Sequence, residues 1–96
     1  MILFESMELG EIRQQLDDID TRIMQLIADR VNLIPAIAHY KEKKNLPRRD
    51  EKREAEIKKK IKLFSRKQKI NPDLLEKIMD LLIAESHRIE KEILGR

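Results

Sequence analysis

The sequence predicts an all-α fold in which three helices per chain, including a long kinked first helix, form an intertwined helical homodimer. Charged residues make up 41% of the 96 residues and aromatic residues only 3%, a composition typical of long helices. A chain this short usually needs disulfides, a metal or oligomerisation for stability. There is no cysteine, and the two histidines form no ligand cluster by spacing, so we expect oligomerisation.

The first helix is predicted over about residues 8–44, after a flexible leader at residues 1–7. Its apolar residues recur at alternating steps of three and four, as in a coiled-coil seam. Such a helix is roughly 54 Å long, whereas a compact globule of this chain length has a radius of gyration of about 12–13 Å. A second copy of the chain is the simplest cover for the apolar stripe. The stripe consists of Leu9, Ile12, Leu16, Ile19, Ile23, Leu26, Leu33 and Ile37.

Pro35 interrupts this pattern, because proline inside a helix removes a hydrogen bond and clashes with the preceding turn. Either the helix is continuous and kinked, or it breaks near Asn32 into two shorter helices. The stripe continues in phase beyond the proline, which favours the kink.

Two further helices are predicted, over about residues 50–65 and 72–94, so that one domain covers residues 8–96. Pro47 ends any helix before it, and Asp50 is a good capping residue for the second helix. Residues 65–70 are predicted to form a loop. The third helix opens on a cap, a proline and an acid at Asn71-Pro72-Asp73, and Gly95 ends it. The apolar faces consist of Ile57, Ile61 and Phe64 in the second helix and Leu75, Met79, Leu82, Ile83, Ile89 and Ile93 in the third.

Polar residues continue each of these apolar faces. Any single one of these positions can also be explained without a function, by a long side chain that reaches water or by a solvated terminal turn. Together, however, three inner faces turn polar, and the cations Arg30, Lys41 and Arg53 could hold carboxylates, which indicates a pocket for a small anion. The positions are Arg30 and Lys41 in the first helix, Asp50, Arg53 and Glu54 in the second, and Ser86 and Glu90 in the third.

The ordered set of these polar positions resembles the all-helical chorismate mutase family, over about residues 8–94. The resemblance implies an isomerase that rearranges chorismate to prephenate in phenylalanine and tyrosine biosynthesis, by an intramolecular Claisen rearrangement without cofactor or metal. It is carried by the segments 12–20, 26–30, 38–41, 47–54 (PRRDEKRE) and 83–86, and by Glu90.

The resemblance also implies a role for each polar residue. Arg30 and Ser86 would bind substrate carboxylates, and Arg53 would help to position the substrate. Asp50 and Glu54 would receive the ring hydroxyl.

The catalytic pair implied by the resemblance is Lys41 and Glu90, which would both donate to the ether oxygen; Lys41 would also contact a carboxylate. The family has Gln or Glu at position 90. A Glu donates only when it is protonated, so either burial keeps Glu90 protonated or activity falls as the pH rises.

Arg13 is implied to bind a carboxylate in the pocket of the partner chain. Helix geometry supports this, because Arg13 and Arg30 are 17 residues apart on one predicted helix. That spacing is roughly 25 Å, too far for both side chains to reach one small substrate.

Three other functions remain open. An isochorismate pyruvate-lyase would use the same scaffold and anion pocket. A non-catalytic helical dimerisation module fits the long seam but not the misplaced Arg30, Lys41 and Glu90. Nucleic-acid binding through residues 58–60 and 66–69 is disfavoured, since the net charge is only +3 and no aromatic residues are interleaved. No targeting segment or membrane-length apolar run is visible, so a cytoplasmic protein without membrane association is expected.

Overall fold

The computed structural model describes residues 7–96 and confirms the all-α fold. The three helices are α1 (Leu9–Lys44), α2 (Glu51–Gln68) and α3 (Pro72–Leu94). No strand occurs in the described part of the chain. Residues 1–6 of the predicted leader lie outside the described residues. None of the helices at residues 7–96 is both long and apolar enough to span a membrane.

The chain divides into two units, residues 1–30 and residues 31–96, and each is described by itself. In the first unit, residues 9–30 are the N-terminal part of α1. Two side-chain hydrogen bonds support this part of the helix, each between residues one turn apart: Gln14 donates to Asp18, and Gln25 donates to Asp29. Most of the predicted apolar stripe here is exposed, at Leu9, Leu16, Ile19, Ile23 and Leu26.

Helix α1 continues through Pro35 up to Lys44. The alternative of two shorter helices that separate near Asn32 is therefore wrong. The bulky ring at Pro35 is only half-buried.

The core of the second unit is small and lies on a face of α1 beside the apolar stripe, for which the sequence predicts a second copy as the cover. Ile34 and Ala38 are buried, whereas Leu33 and Ile37 are 64% and 47% exposed. A strict alternation of three and four drifts around a helix that has 3.6 residues per turn, so the seam and the core face separate. Lys41 follows Ala38 by three residues, which places it on the core face.

Helix α2 begins as expected and ends later than expected. The Asp50 side chain accepts a hydrogen bond from the Arg53 backbone N–H and caps the helix. The helix runs to Gln68, because Lys69 adopts a left-handed conformation and its backbone N–H bonds the Ser65 carbonyl. The predicted loop at 65–70 is therefore shorter. On the predicted apolar face, Ile61 is buried, Ile57 is half-buried and Phe64 is exposed.

Helix α3 has the predicted ends. Asn71 caps it by accepting a hydrogen bond from the Asp73 backbone N–H, and Pro72 occupies the first turn. Gly95 ends it with a left-handed φ of 72°. The predicted apolar face is half-buried throughout, at Leu75, Met79, Leu82, Ile83, Ile89 and Ile93.

Candidate active site

Lys41 and Glu90 form a shielded ion pair between the end of α1 and the end of α3. The Lys41 ammonium donates to Glu90 Oε1 at 2.6 Å and to the backbone carbonyl of Arg48 at 2.5 Å. The Lys41 side chain is 14% exposed and that of Glu90 is 6% exposed. Two acceptors from separate segments therefore fix the position of one ammonium group.

Helix periodicity places Lys41 and Glu90 on the helix faces that pack inward, near the end of each helix. Lys41 continues the face of the buried Ile34 and Ala38 on α1. Glu90 follows Ile83 by seven residues, or about two turns of α3. The sequence prediction that these two residues share one site is consistent with this contact.

His87 lies beside this pair, between Arg48 and Glu54. Its Nδ1 atom is 3.1 Å from Arg48 Nη1, and its Nε2 atom is 3.6 Å from Glu54 Oε1. The side chains of His87 and Glu54 are both part-buried. The loop between α1 and α2 is thereby connected to α3 through a polar side chain.

Arg96 holds the same loop. The Arg96 guanidinium donates to the Leu46 carbonyl at 2.6 Å, and Arg48 Nε donates to the Arg96 carbonyl at 2.9 Å. These bonds stabilise the loop whose Arg48 carbonyl accepts from Lys41.

Asp50 and Arg53 lie at the start of α2 and point to different partners. Asp50 is exposed and its carboxylate caps the helix. The Arg53 side chain is 66% exposed and its Nη1 atom is 3.5 Å from Glu56 Oε2. The structure therefore does not bring Arg53 to the Lys41–Glu90 pair.

Ser86 lies one turn before Glu90 on α3 and is buried. Its hydroxyl donates to the Leu82 carbonyl at 2.9 Å, as serine commonly does inside a helix.

Arg13 and Arg30 belong to the first unit. Arg13 is exposed and Arg30 is half-buried, and both lie on α1. Their substrate-binding roles stay predictions.

Lys41 also lines an open cavity of about 450 Å³. This volume suits a small metabolite. Its lining combines cations and acids with two apolar side chains: Lys41, Leu46, Pro47, Arg49, Asp50 and Glu51.

Sequence reasoning missed three residues at this site: Arg48, Arg49 and His87. The two arginines adjoin Asp50 in an Arg-rich loop, but a loop has no periodicity from which the direction of a side chain can be predicted. His87 could have been found, because it follows Ile83 by four residues and precedes Glu90 by three, on one helix face.

The fold and this site define a small all-helical protein in which the ends of two helices bring a lysine and a glutamate together, with an open cavity lined by the lysine. Residues 12–91 match the family described as Chorismate mutase type II. The chain belongs to this family.

Several curated proteins are similar to most of this chain. It is 31% identical to a chorismate mutase of Methanocaldococcus jannaschii, over 91% of this chain and 88% of that protein. It is 33% identical to a bifunctional chorismate mutase/prephenate dehydratase of Buchnera aphidicola, over 93% of this chain but only 23% of that protein. It is 25% identical to a 4-amino-4-deoxychorismate mutase of Streptomyces venezuelae, over 96% of this chain and 89% of that protein. No solved structure matches the chain significantly.

Proposed function

We propose that this protein is a chorismate mutase, an isomerase that converts chorismate to prephenate in phenylalanine and tyrosine biosynthesis. The observation that carries the proposal is Lys41, whose ammonium is fixed by Glu90 and the Arg48 carbonyl beside an open cavity. Membership of the Chorismate mutase type II family supports it.

The rearrangement breaks one carbon–oxygen bond while it forms one carbon–carbon bond within the same molecule. The protein must hold a flexible dianion in a folded shape close to that of the transition state. It must also stabilise the negative charge that grows on the ether oxygen, with donors that need no reorganisation.

Lys41 meets the second requirement. An ammonium group has three N–H donors, and here two of them are used by Glu90 and by the Arg48 carbonyl. The remaining donor has no acceptor among the described residues and is free for the ether oxygen or a carboxylate. Because the other two bonds fix the nitrogen, little ordering is left for the moment of reaction.

Glu90 is the second proposed contact of the ether oxygen. Ionised, its carboxylate accepts from Lys41 and orients that ammonium; protonated, it can also donate to the ether oxygen. Both roles are consistent with membership of the catalytic pair, and the dependence of activity on pH separates them.

The remaining contacts are assigned to the substrate's carboxylates and hydroxyl. Arg30 and Ser86 bind carboxylates, and Arg53 positions the substrate after its weak contact with Glu56 opens. Asp50 and Glu54 accept from the ring hydroxyl. Asp50 lines the cavity itself.

We further propose a homodimer in which Arg13 of each chain completes the pocket of the other. The exposed apolar residues of α1, from Leu9 to Ile37, support this assembly. Covering apolar surface stabilises association by roughly 25 cal/mol per Å² before the costs of binding are subtracted. Location in the cytoplasm stays a prediction.

The test follows the loss of chorismate absorbance with purified protein, the parent beside Arg30→Ala and a reaction without enzyme. Arg22→Ala is the matched control, because Arg22 is an exposed arginine of the same helix segment. We expect chorismate to disappear, prephenate to appear, Arg30→Ala to abolish turnover and Arg22→Ala to retain it.

Turnover at the uncatalysed rate in the parent would contradict the proposal. Isochorismate is then the next substrate, because release of pyruvate from it would establish the lyase on the same scaffold. If neither compound reacts, the remaining interpretation is a non-catalytic helical dimerisation module.

A further inference from the structure

The proposed mechanism makes no use of His87, although this side chain lies beside the Lys41–Glu90 pair and contacts Arg48 and Glu54. It is part-buried, with Arg48 on one ring nitrogen and Glu54 facing the other. Glu54 is one of the two carboxylates assigned to the ring hydroxyl, so a group that controls its position bears directly on substrate binding.

The contact with Arg48 determines which nitrogen of a neutral His87 ring carries the proton. A guanidinium group has only donors, so Nδ1, at 3.1 Å from Arg48 Nη1, must be the acceptor. The proton of the neutral ring therefore lies on Nε2. That N–H faces Glu54 Oε1 across 3.6 Å.

The Nε2 atom is buried and has no hydrogen-bond partner among the residues that the structure describes. Leaving a buried donor unsatisfied is costly. Glu54 is the acceptor beside it, and a shift of its carboxylate by about 0.6 Å brings the two atoms to hydrogen-bond distance. The Glu54 side chain is 30% exposed, which leaves room for that shift.

We infer that His87 is a positioning residue, which Arg48 orients through Nδ1 and which holds the Glu54 carboxylate through Nε2–H while that carboxylate accepts from the ring hydroxyl of the substrate. The inference rests on the proposed function. Arg48 then acts twice, because its carbonyl fixes Lys41 and its side chain fixes His87.

This role predicts a specific kinetic pattern. The ring hydroxyl does not take part in bond making or breaking, so its contact is equally strong in the ground and transition states. Loss of such a contact raises KM and leaves kcat nearly unchanged. A merely structural role in packing would instead lower the melting temperature and reduce activity without this separation.

The experiment compares His87→Leu with His87→Gln in the full chain. We expect KM for chorismate to rise about tenfold in His87→Leu with kcat within about twofold. Gln has an amide donor and is expected to restore KM to within about threefold of the parent. The control is His39→Leu, the same substitution at the exposed second histidine, which should leave both constants unchanged.

Two further measurements separate positioning from packing. With Glu54→Ala in place, His87→Leu should raise KM no further, since the carboxylate that it holds is gone. Nitrogen-15 shifts of histidine-labelled protein at a pH where the rings are neutral should show the proton of His87 on Nε2, and Arg48→Met should redistribute it. His39→Leu assigns the two signals.

Additive effects of His87→Leu and Glu54→Ala, or a His87 proton on Nδ1, would overturn the inference. These outcomes are distinct from failure of the proposed function. If the parent does not convert chorismate, the proposed function fails. If the parent converts chorismate and His87→Leu leaves KM unchanged, only the role of His87 is rejected.

Discussion

Lys41 owes its position to acceptors of different kinds, a carboxylate on α3 and a backbone carbonyl in the loop before α2. A fixed ammonium stabilises developing charge better than a mobile one, because its N–H groups need not be reoriented during the reaction. The site thus depends on the ends of elements that are distant in sequence.

Replacing Lys41 with methionine keeps the length of the side chain and removes the charge and the donors. We expect kcat to fall by about 10²–10³-fold, the usual loss for one such donor. Lys43→Met is the matched control, since Lys43 is exposed two residues away and should give parental kinetics. Circular dichroism checks folding, because the Lys41→Met substitution leaves Glu90 buried without its cation. A parental kcat in a folded Lys41→Met protein would exclude Lys41 from the catalytic pair.

Glu90→Gln tests whether Glu90 donates to the ether oxygen. A glutamic acid donates only while protonated, so the activity of the parent should decline as the pH rises, whereas the amide donates at every pH. The variant should therefore retain at alkaline pH the activity that the parent loses, as measured by pH–rate profiles of both proteins. Flat and equal profiles would show that Glu90 is not the donor. A Glu90→Gln variant that is slower than the parent at every pH would indicate that Glu90 orients Lys41 instead.

At the scale of the helices, the end of α2 carries conformational strain. Lys69 has a φ of 56°, in the left-handed region where residues with a side chain are disfavoured by about 1–2 kcal/mol. The cap is nonetheless formed, since its N–H satisfies the Ser65 carbonyl.

Lys69→Gly should relieve this strain and raise the free energy of unfolding by about 0.5–1 kcal/mol. Lys59→Gly is a control for which the opposite change is expected. Lys59 is an exposed lysine inside the same helix, and glycine there should lower the free energy of unfolding by about 1 kcal/mol. Urea unfolding at one protein concentration measures both. Changes of the same sign in the two variants would contradict the role of the left-handed cap.

The sequence predicted the helices because capping and periodicity are local properties. Asp50, Asn71 and Gly95 lie at helix ends where their chemistry indicates them. It did not predict the end at Lys69, since glycine and asparagine signal a left-handed cap from sequence but lysine does not. It did not separate the core face of Ile34 and Ala38 from the neighbouring stripe at Leu33 and Ile37, because a stripe that covers a second copy and a stripe that packs within the chain look alike.

The candidate site was predicted in part for the same reason. Lys41 and Glu90 lie on helix faces whose direction follows from 3.6 residues per turn, and the structure brings them together. The contribution of Arg48 is a backbone carbonyl, which every residue has, so its identity could not reveal it.

At the scale of the whole molecule, the proposed homodimer can be tested by mixing two inactive variants. Arg13→Ala damages the partner's pocket and Lys41→Met damages a chain's own pocket, so each homodimer should be inactive. A mixed dimer contains one pocket with both residues intact. Co-refolding equal amounts should therefore restore about a quarter of the parental activity, since half of the dimers are mixed and one of their two pockets is complete. Absence of any recovery, with mixed dimers verified by mass spectrometry, would place Arg13 outside the partner's pocket.

The exposed apolar residues of α1 also have a consequence for reaction order. If a complete pocket needs two chains, the number of pockets follows the monomer–dimer equilibrium. The initial rate should then rise with the square of the chain concentration in dilute solution and become proportional to it once the dimer predominates.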